Sequence, residues 1–101
     1  MEIIAECFKA LSEPNRLTVL ESLKEGALNV TAVVENTGLS QALVSKHLKL
    51  LNTAGFVERI PDGGLVFYKV VDKRIFKLIT QTEKLIVTIN QQRLETLASN
   101  P

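Results

Sequence analysis

The sequence predicts a mainly α fold with one β-hairpin, a winged helix-turn-helix of element order α-α-α-α-β-β-α. Three observations predict it. Between residues 30 and 52 a helix-length stretch, a glycine and a second helix follow one another, the local signature of a helix-turn-helix. Directly after it, over about residues 56–70, two β-rich runs flank Pro61-Asp62-Gly63-Gly64. A long amphipathic helix then occupies about residues 72–97.

Each element has its own local cause. Ile3, Ile4, Cys7, Phe8 and Leu11 recur at helical spacing, so residues 2–11 form a short amphipathic helix. Ser12-Glu13-Pro14 stops it and starts another, with Ser12 expected as N-cap and Pro14 at an early helical position. Leu17, Leu20 and Leu23 give that second helix its stripe, and Gly26 is expected to end it. Residues 30–37 are rich in β-branched side chains and would pass for a strand on propensity. The sequel decides for a helix: Gly38 marks a tight turn, Ser40 is a good N-cap, and Gln41 through Leu51 is strongly helical, with Gly55 closing it. Asp72 is expected to cap the last helix, along which Ile75, Leu78, Ile79, Leu85, Ile86, Ile89 and Leu94 are spread. At 1.5 Å per residue that helix is about 40 Å long and outruns so small a core, so its stripe needs the first helix and a twin in another subunit.

A chain of 101 residues suits one domain with one core. Its 46% hydrophobic and 23% charged residues exclude a disordered chain. The start, Met1-Glu2-Ile3-Ile4-Ala5-Glu6, lacks the basic-then-apolar pattern of a secretion signal, and no apolar run approaches the roughly 18 residues of a membrane span. One cysteine cannot form an internal disulfide, so the expected address is the cytoplasm.

The net charge of +1 is uninformative, but its distribution is not. Residues 1–35 balance at −3, residues 36–78 at +4, and residues 79–101 at zero, with no acid between Asn36 and Val57. Such a local field attracts phosphates even on a near-neutral molecule. On a wheel of the helix Gln41–Leu51, Leu43, Val44, His47, Leu48 and Leu51 share one side, while Gln41, Ala42, Ser45, Lys46 and Lys49 share the other. The second set, with Ser40 at the helix start, suits a helix in the major groove. Gln bonds adenine N6 and N7 together, Ser serves either partner, the Ala methyl meets a thymine methyl, and the lysines reach bases or phosphates at the edge. For an isolated helix, a solvated polar face would be the first reading; the glycine turn, the acid-free stretch and the hairpin move the balance to DNA.

His47 falls toward the apolar side, so packing is its first reading and a phosphate contact from the boundary its second. Ser45 lies two residues away and does not face it on a helix, which excludes a Ser-His nucleophile pair. No acid-base or metal constellation is visible, and an enzyme is not expected.

The element order, together with Phe8-Lys9-Ala10-Leu11-Ser12-Glu13-Pro14-Asn15-Arg16-Leu17, Gly38-Leu39-Ser40-Gln41-Ala42-Leu43-Val44-Ser45-Lys46-His47-Leu48, Gly55-Phe56-Val57, Asp62-Gly63 and Tyr68-Lys69-Val70, resembles the ArsR/SmtB family of dimeric winged-helix repressors. The resemblance runs from about residue 5 to residue 80. It implies a homodimer built from the first and last helices, with recognition helices in successive major grooves and half-sites about one turn, roughly 34–36 Å, apart. It implies base reading by Gln41, Ser45 and Lys46, and wing contacts to flanking backbone or minor groove from Arg59, Asp62, Gly63, Gly64 and Tyr68. Two features depart from the pattern. The wing tip Pro61-Asp62-Gly63-Gly64-Leu65 has no Arg or Lys, and Val34 stands where a small residue is common.

Sensing departs further. Many relatives bind metal through thiolates near the third helix, or through an Asp-x-His and His-x-x-His set on the last. Here the third helix has no cysteine, and the positions matching the second set are Asp72, Arg74, Leu85 and Thr88. With one Cys and one His, no tetrahedral site of the usual composition can be built within a protomer, so no metal and no cofactor are expected. Cys7 reads first as a small buried hydrophobe and second as a redox residue bridging to its twin across the dimer. The expected partners are double-stranded DNA and a second copy of the chain, with no membrane; any inducer is a small molecule of unknown identity. The function expected is a repressor on an inverted-repeat operator. The alternative is a winged-helix protein-interaction module with weak or no DNA binding, which the bare wing tip favours.

Overall fold

In a computed structural model describing residues 1–99, the elements are α1 (Glu2–Ala10), α2 (Pro14–Ser22), β1 (Leu28–Asn29), α3 (Val30–Thr37), α4 (Gln41–Thr53), β2 (Val57–Asp62), β3 (Leu65–Val70) and α5 (Arg74–Ser99). The expected order holds, with one addition. The two-residue strand β1 pairs antiparallel with β3 through Leu28↔Tyr68 and Asn29↔Phe67, giving a three-stranded sheet in the order β1-β3-β2. So short a strand carries no periodicity and leaves no mark in the sequence.

Boundaries shift where side chains compete. Ser12 does not cap α2; its hydroxyl donates to the Lys9 carbonyl at 2.7 Å. Glu13 is the cap instead, its carboxylate accepting the Arg16 N–H at 2.9 Å. Pro14 explains the choice, since a proline biases the residue before it to extended backbone, here φ −112° and ψ 123°. α2 also ends at Ser22, before Gly26, with a turn between them. At the next helix Asn29 accepts the Ala32 N–H at 2.8 Å, and this cap together with the buried Val33 overrides the β propensity of the segment. Gly38 ends α3 at φ 73°, a left-handed conformation that favours glycine, and Ser40 accepts the Leu43 N–H to open α4. The two caps orient α3 and α4 as a helix-turn-helix.

One core gathers the elements. Val19 and Leu20 of α2, Leu23 after it, Val33 of α3, and Val44, Leu48 and Leu51 of α4 are almost wholly enclosed, joined by Val57, Tyr68 and Val70 of the hairpin and Ile75 and Phe76 of α5. Burying an aliphatic side chain of this kind stabilises by about 1.5–3 kcal/mol, so α4 is anchored on three sides. α5 joins the core only through its first turns. Lys24 sits over the Phe76 ring, 5.9 Å from its centroid, and Asp72 accepts the Arg74 N–H at 2.9 Å. Every described side chain from Thr80 through Ala98 is exposed. The molecule is consequently 65 Å along its longest axis.

Candidate nucleic-acid interface

α4 presents two faces, as the wheel predicts. Val44, His47, Leu48 and Leu51 are buried on its rear, whereas Gln41, Ala42, Lys46 and Lys49 are exposed on its front. Ser45 lies at the border and is half-buried. Ser40 is exposed, but its Oγ already accepts from Leu43, which leaves its hydroxyl proton to donate elsewhere. Leu43, expected on the apolar side, keeps 37% of its surface. A rigid rod thus carries an amide, a methyl and two ammonium groups on one accessible side, and no acid stands on that helix. That set can hydrogen-bond base edges and neutralise phosphates.

His47 is inside, with 3% exposed, and does not belong to the accessible face. Its Nε2 lies 3.3 Å from the Glu13 carboxylate, and its Nδ1 lies 3.5 Å from the Nε of Arg16. Burial pushes its pKa below the ordinary value of 6.5; Glu13 opposes that shift, and Arg16 and Lys46 reinforce it. A phosphate contact from this enclosed position is therefore excluded. The sequence does not mark Glu13 and Arg16 as partners of this ring, because Arg16 and His47 are 31 residues apart. Only the apolar-side wheel position of His47 hints at an internal partner.

In the wing, Asp62 pairs with Leu65, so Gly63 and Gly64 alone make the turn, at φ 57° and 82°. Both glycines adopt the left-handed conformation that a two-residue hairpin of matching twist requires. Arg59, Asp62, Gly63 and Gly64 are exposed, as contact with DNA would need. Tyr68 is corrected: only 8% is exposed and its ring belongs to the core. It pairs with Arg59 across the strands, on the side of the sheet that packs inward.

Cys7 is a free, half-buried thiol between α1, Phe56 and the start of α5. Asp72 pairs with Arg74 at 2.7 Å, and that guanidinium holds the Asp72 carboxyl down at about 2. Among the described residues, no three His, Cys, Asp or Glu side chains converge as a ligand group, and no helix is long and apolar enough to cross a membrane.

Comparison with known proteins places these features in a wider set. Residues 13–59, from the cap of α2 through the first half of β2, match the family described as bacterial regulatory protein, arsR family. The chain is 35% identical over 85 residues to an uncharacterised HTH-type transcriptional regulator, MJ1325, of Methanocaldococcus jannaschii, covering 83% of this chain and 96% of that one. It is 37% identical over 75 residues to a probable mercury resistance operon repressor of Streptomyces lividans, covering 74% of this chain but only 60% of the relative. Its fold superposes with a TM-score of 0.73 and 26% identity on the homodimeric winged helix-turn-helix DNA-binding domain Mb0332 of Mycobacterium bovis, solved by NMR, covering 84% of this chain and 79% of that one.

Proposed function

This chain belongs to the arsR family of bacterial regulatory proteins, and we propose that it is a single-domain, cytoplasmic transcriptional repressor that binds an inverted-repeat operator as a homodimer. The observation that carries the reading is the division of α4, apolar and enclosed behind, with Gln41, Ala42, Lys46 and Lys49 free in front. Gln41, with Ser45 and Lys46, reads base edges; Lys49 holds phosphate; Arg59 and the turn at Asp62-Gly63-Gly64 lie along the flanking backbone.

Pairing is supported by the apolar surface that one copy leaves uncovered. Ile3, Ile4 and Phe8 on α1 keep 82%, 49% and 54% of their surface, and Leu85, Ile86 and Ile89 on α5 keep 59%, 51% and 44%. Apolar surface of this extent is stable in water when a second copy covers it. Two recognition helices related by a two-fold axis then meet half-sites about one helical turn, roughly 34–36 Å, apart.

With one Cys and one His in the chain, a tetrahedral metal site of the usual Cys and His composition cannot be built within one protomer, and the proposal names no metal inducer. Mercury belongs to the name of the Streptomyces relative and does not pass to this chain. Oxidation of Cys7 to a bridge with its twin is a separate proposal; peroxide treatment followed by non-reducing electrophoresis tests it, and an uncrosslinked chain removes it.

The deciding experiment is fluorescence anisotropy on duplexes selected by the protein from a randomised pool. Binding is expected to be salt-sensitive, because phosphate contacts release counterions. Gln41→Ala is expected to cost about 1–3 kcal/mol on the selected duplex and to relax base preference at one position. Lys49→Ala is expected to weaken all sequences alike and to lower the salt slope by about 1, for the one phosphate it no longer neutralises. Unchanged affinity in both variants removes the recognition-helix assignment. The cation-free wing tip favours the second reading, a protein-interaction module, which gains if no duplex is selected at low salt.

A further inference from the structure

The buried rear of the recognition helix is apolar except at one side chain. His47 lies among Val44, Leu48 and Leu51 on the rear of α4 and is the sole histidine of the chain. Arg16 offers it only donors, because a guanidinium accepts no hydrogen bond. Nδ1 must therefore present its lone pair, and the proton of the neutral ring resides on Nε2, where the Glu13 carboxylate accepts it. Both partners reach other elements. Nη1 of Arg16 donates to the Ala10 carbonyl at 2.8 Å, at the end of α1, and Glu13 caps the start of α2. Three helices thus meet on one imidazole.

We infer that His47 is a positioning residue whose neutral form holds α4 on the α1–α2 corner, and whose protonation in mild acid releases Arg16 and weakens DNA binding. The inference rests on the recognition-helix role proposed above. A second proton, on Nδ1, points at the Nε–H of Arg16 and sets donor against donor and cation against cation. Arg16 can yield only by leaving the ring, and its hold on Ala10 goes with it. Glu13 gains from the same proton, so the imidazolium keeps one partner and loses the other. The charged groups acting on the ring are Glu13 and Arg16, from the α2 side, and Lys46 on its own helix; α3 and β2, which also pack on α4, supply none. Burial outweighs Glu13, so the ring is neutral at pH 7 and above. The sign follows. The clamp is complete above about pH 6.5, the ordinary histidine value, and is lost as the pH falls through the lower value of the folded protein.

The test follows two quantities against pH in the full chain: the ring-proton NMR shift of the lone histidine, and the affinity for a duplex selected at about pH 8. Wild type is expected to lose about tenfold in affinity for each pH unit by which DNA binding depresses the ring's pKa, with the loss centred on the ring's own titration. His47→Gln, which cannot take up a proton, is expected to lose this acid-dependent component whatever its affinity at about pH 8. Glu13→Gln keeps an oxygen for the α2 cap and removes the attracting charge, so the ring titration and the affinity loss both move to lower pH. Identical profiles for wild type and His47→Gln overturn the inference, as does a Glu13→Gln ring titration that moves while affinity stays. If His47→Gln does not fold, wild type and Glu13→Gln decide between them. If no duplex is selected at any pH, the DNA-binding reading fails separately. Hydrogen exchange then tests the clamp alone: amides of the α1–α2 corner must exchange faster below the ring's titration point, and exchange indifferent to it overturns the clamp.

Discussion

α4 and α5 both carry apolar residues at helical spacing, yet they end in opposite circumstances. On α4, Val44, Leu48 and Leu51 have no exposed surface, and the polar side is left free. On α5, among the described residues, only Ile75 and Phe76 are buried, while Leu78, Leu85, Ile86, Ile89, Leu94 and Leu97 keep between 39% and 67% of theirs. Periodicity records a demand for burial without naming what meets it. For α4 the demand is met within the chain by α2, α3 and β2, so its other face is available to DNA. For α5, among the described residues, it is met at the first turns, and the remainder of the stripe stays uncovered in one copy. One helix is finished by folding, and the other is left with an apolar stripe that the proposed pairing would cover.

The sharpest way to break this contrast is to truncate one leucine on each helix. Leu48→Ala is expected to cost about 2–5 kcal/mol of unfolding free energy, from lost burial and a cavity, whereas Leu85→Ala leaves the isolated protomer nearly unchanged. Denaturant titration of dilute, monomeric protein measures both; equal costs would mean that α5 is packed in the monomer after all. Next in size is Ile86→Glu combined with Ile89→Glu. Removing two apolar anchors is expected to weaken pairing by about 3 kcal/mol or more per protomer, with helix content retained. Sedimentation equilibrium reads the shift, and an unaltered oligomer would move the interface off this stripe.

A smaller effect separates the wing from α4. Gly64→Ala forces a side chain into φ 82° and is expected to cost about 1–2 kcal/mol of stability by thermal melting, although its Cβ would meet open space. Since the wing tip holds no cation, the same variant is expected to change duplex affinity by less than Lys49→Ala does. A larger loss than for Lys49→Ala would show that the wing, rather than α4, dominates binding.

Much of the fold is legible in the sequence because its signals are local. Gly38 with Ser40, Gly63 with Gly64, and the two faces of Gln41–Leu51 are written within a few residues, and each is found where the spacing puts it. What the sequence hides depends on neighbours distant in the chain. The pairing of Leu28–Asn29 with β3 joins segments about 40 residues apart. Glu13 displaced Ser12 as the cap, although Ser is the better capping residue, because Pro14 holds the residue before it extended. Tyr68 reads as a wing residue in sequence, yet the inward side of the sheet takes its ring.

The amino-acid order alone determined the helix-turn-helix, the hairpin turn and the face of α4 turned to solvent. Each follows from backbone preferences and from repeats spanning one or two turns. Tertiary structure decided which polar groups are enclosed together, uniting Glu13, Arg16 and His47 on one imidazole, and which apolar stripe goes unmet. Both depend on distances between segments that fold toward each other, and those distances exist only once the chain has closed upon itself.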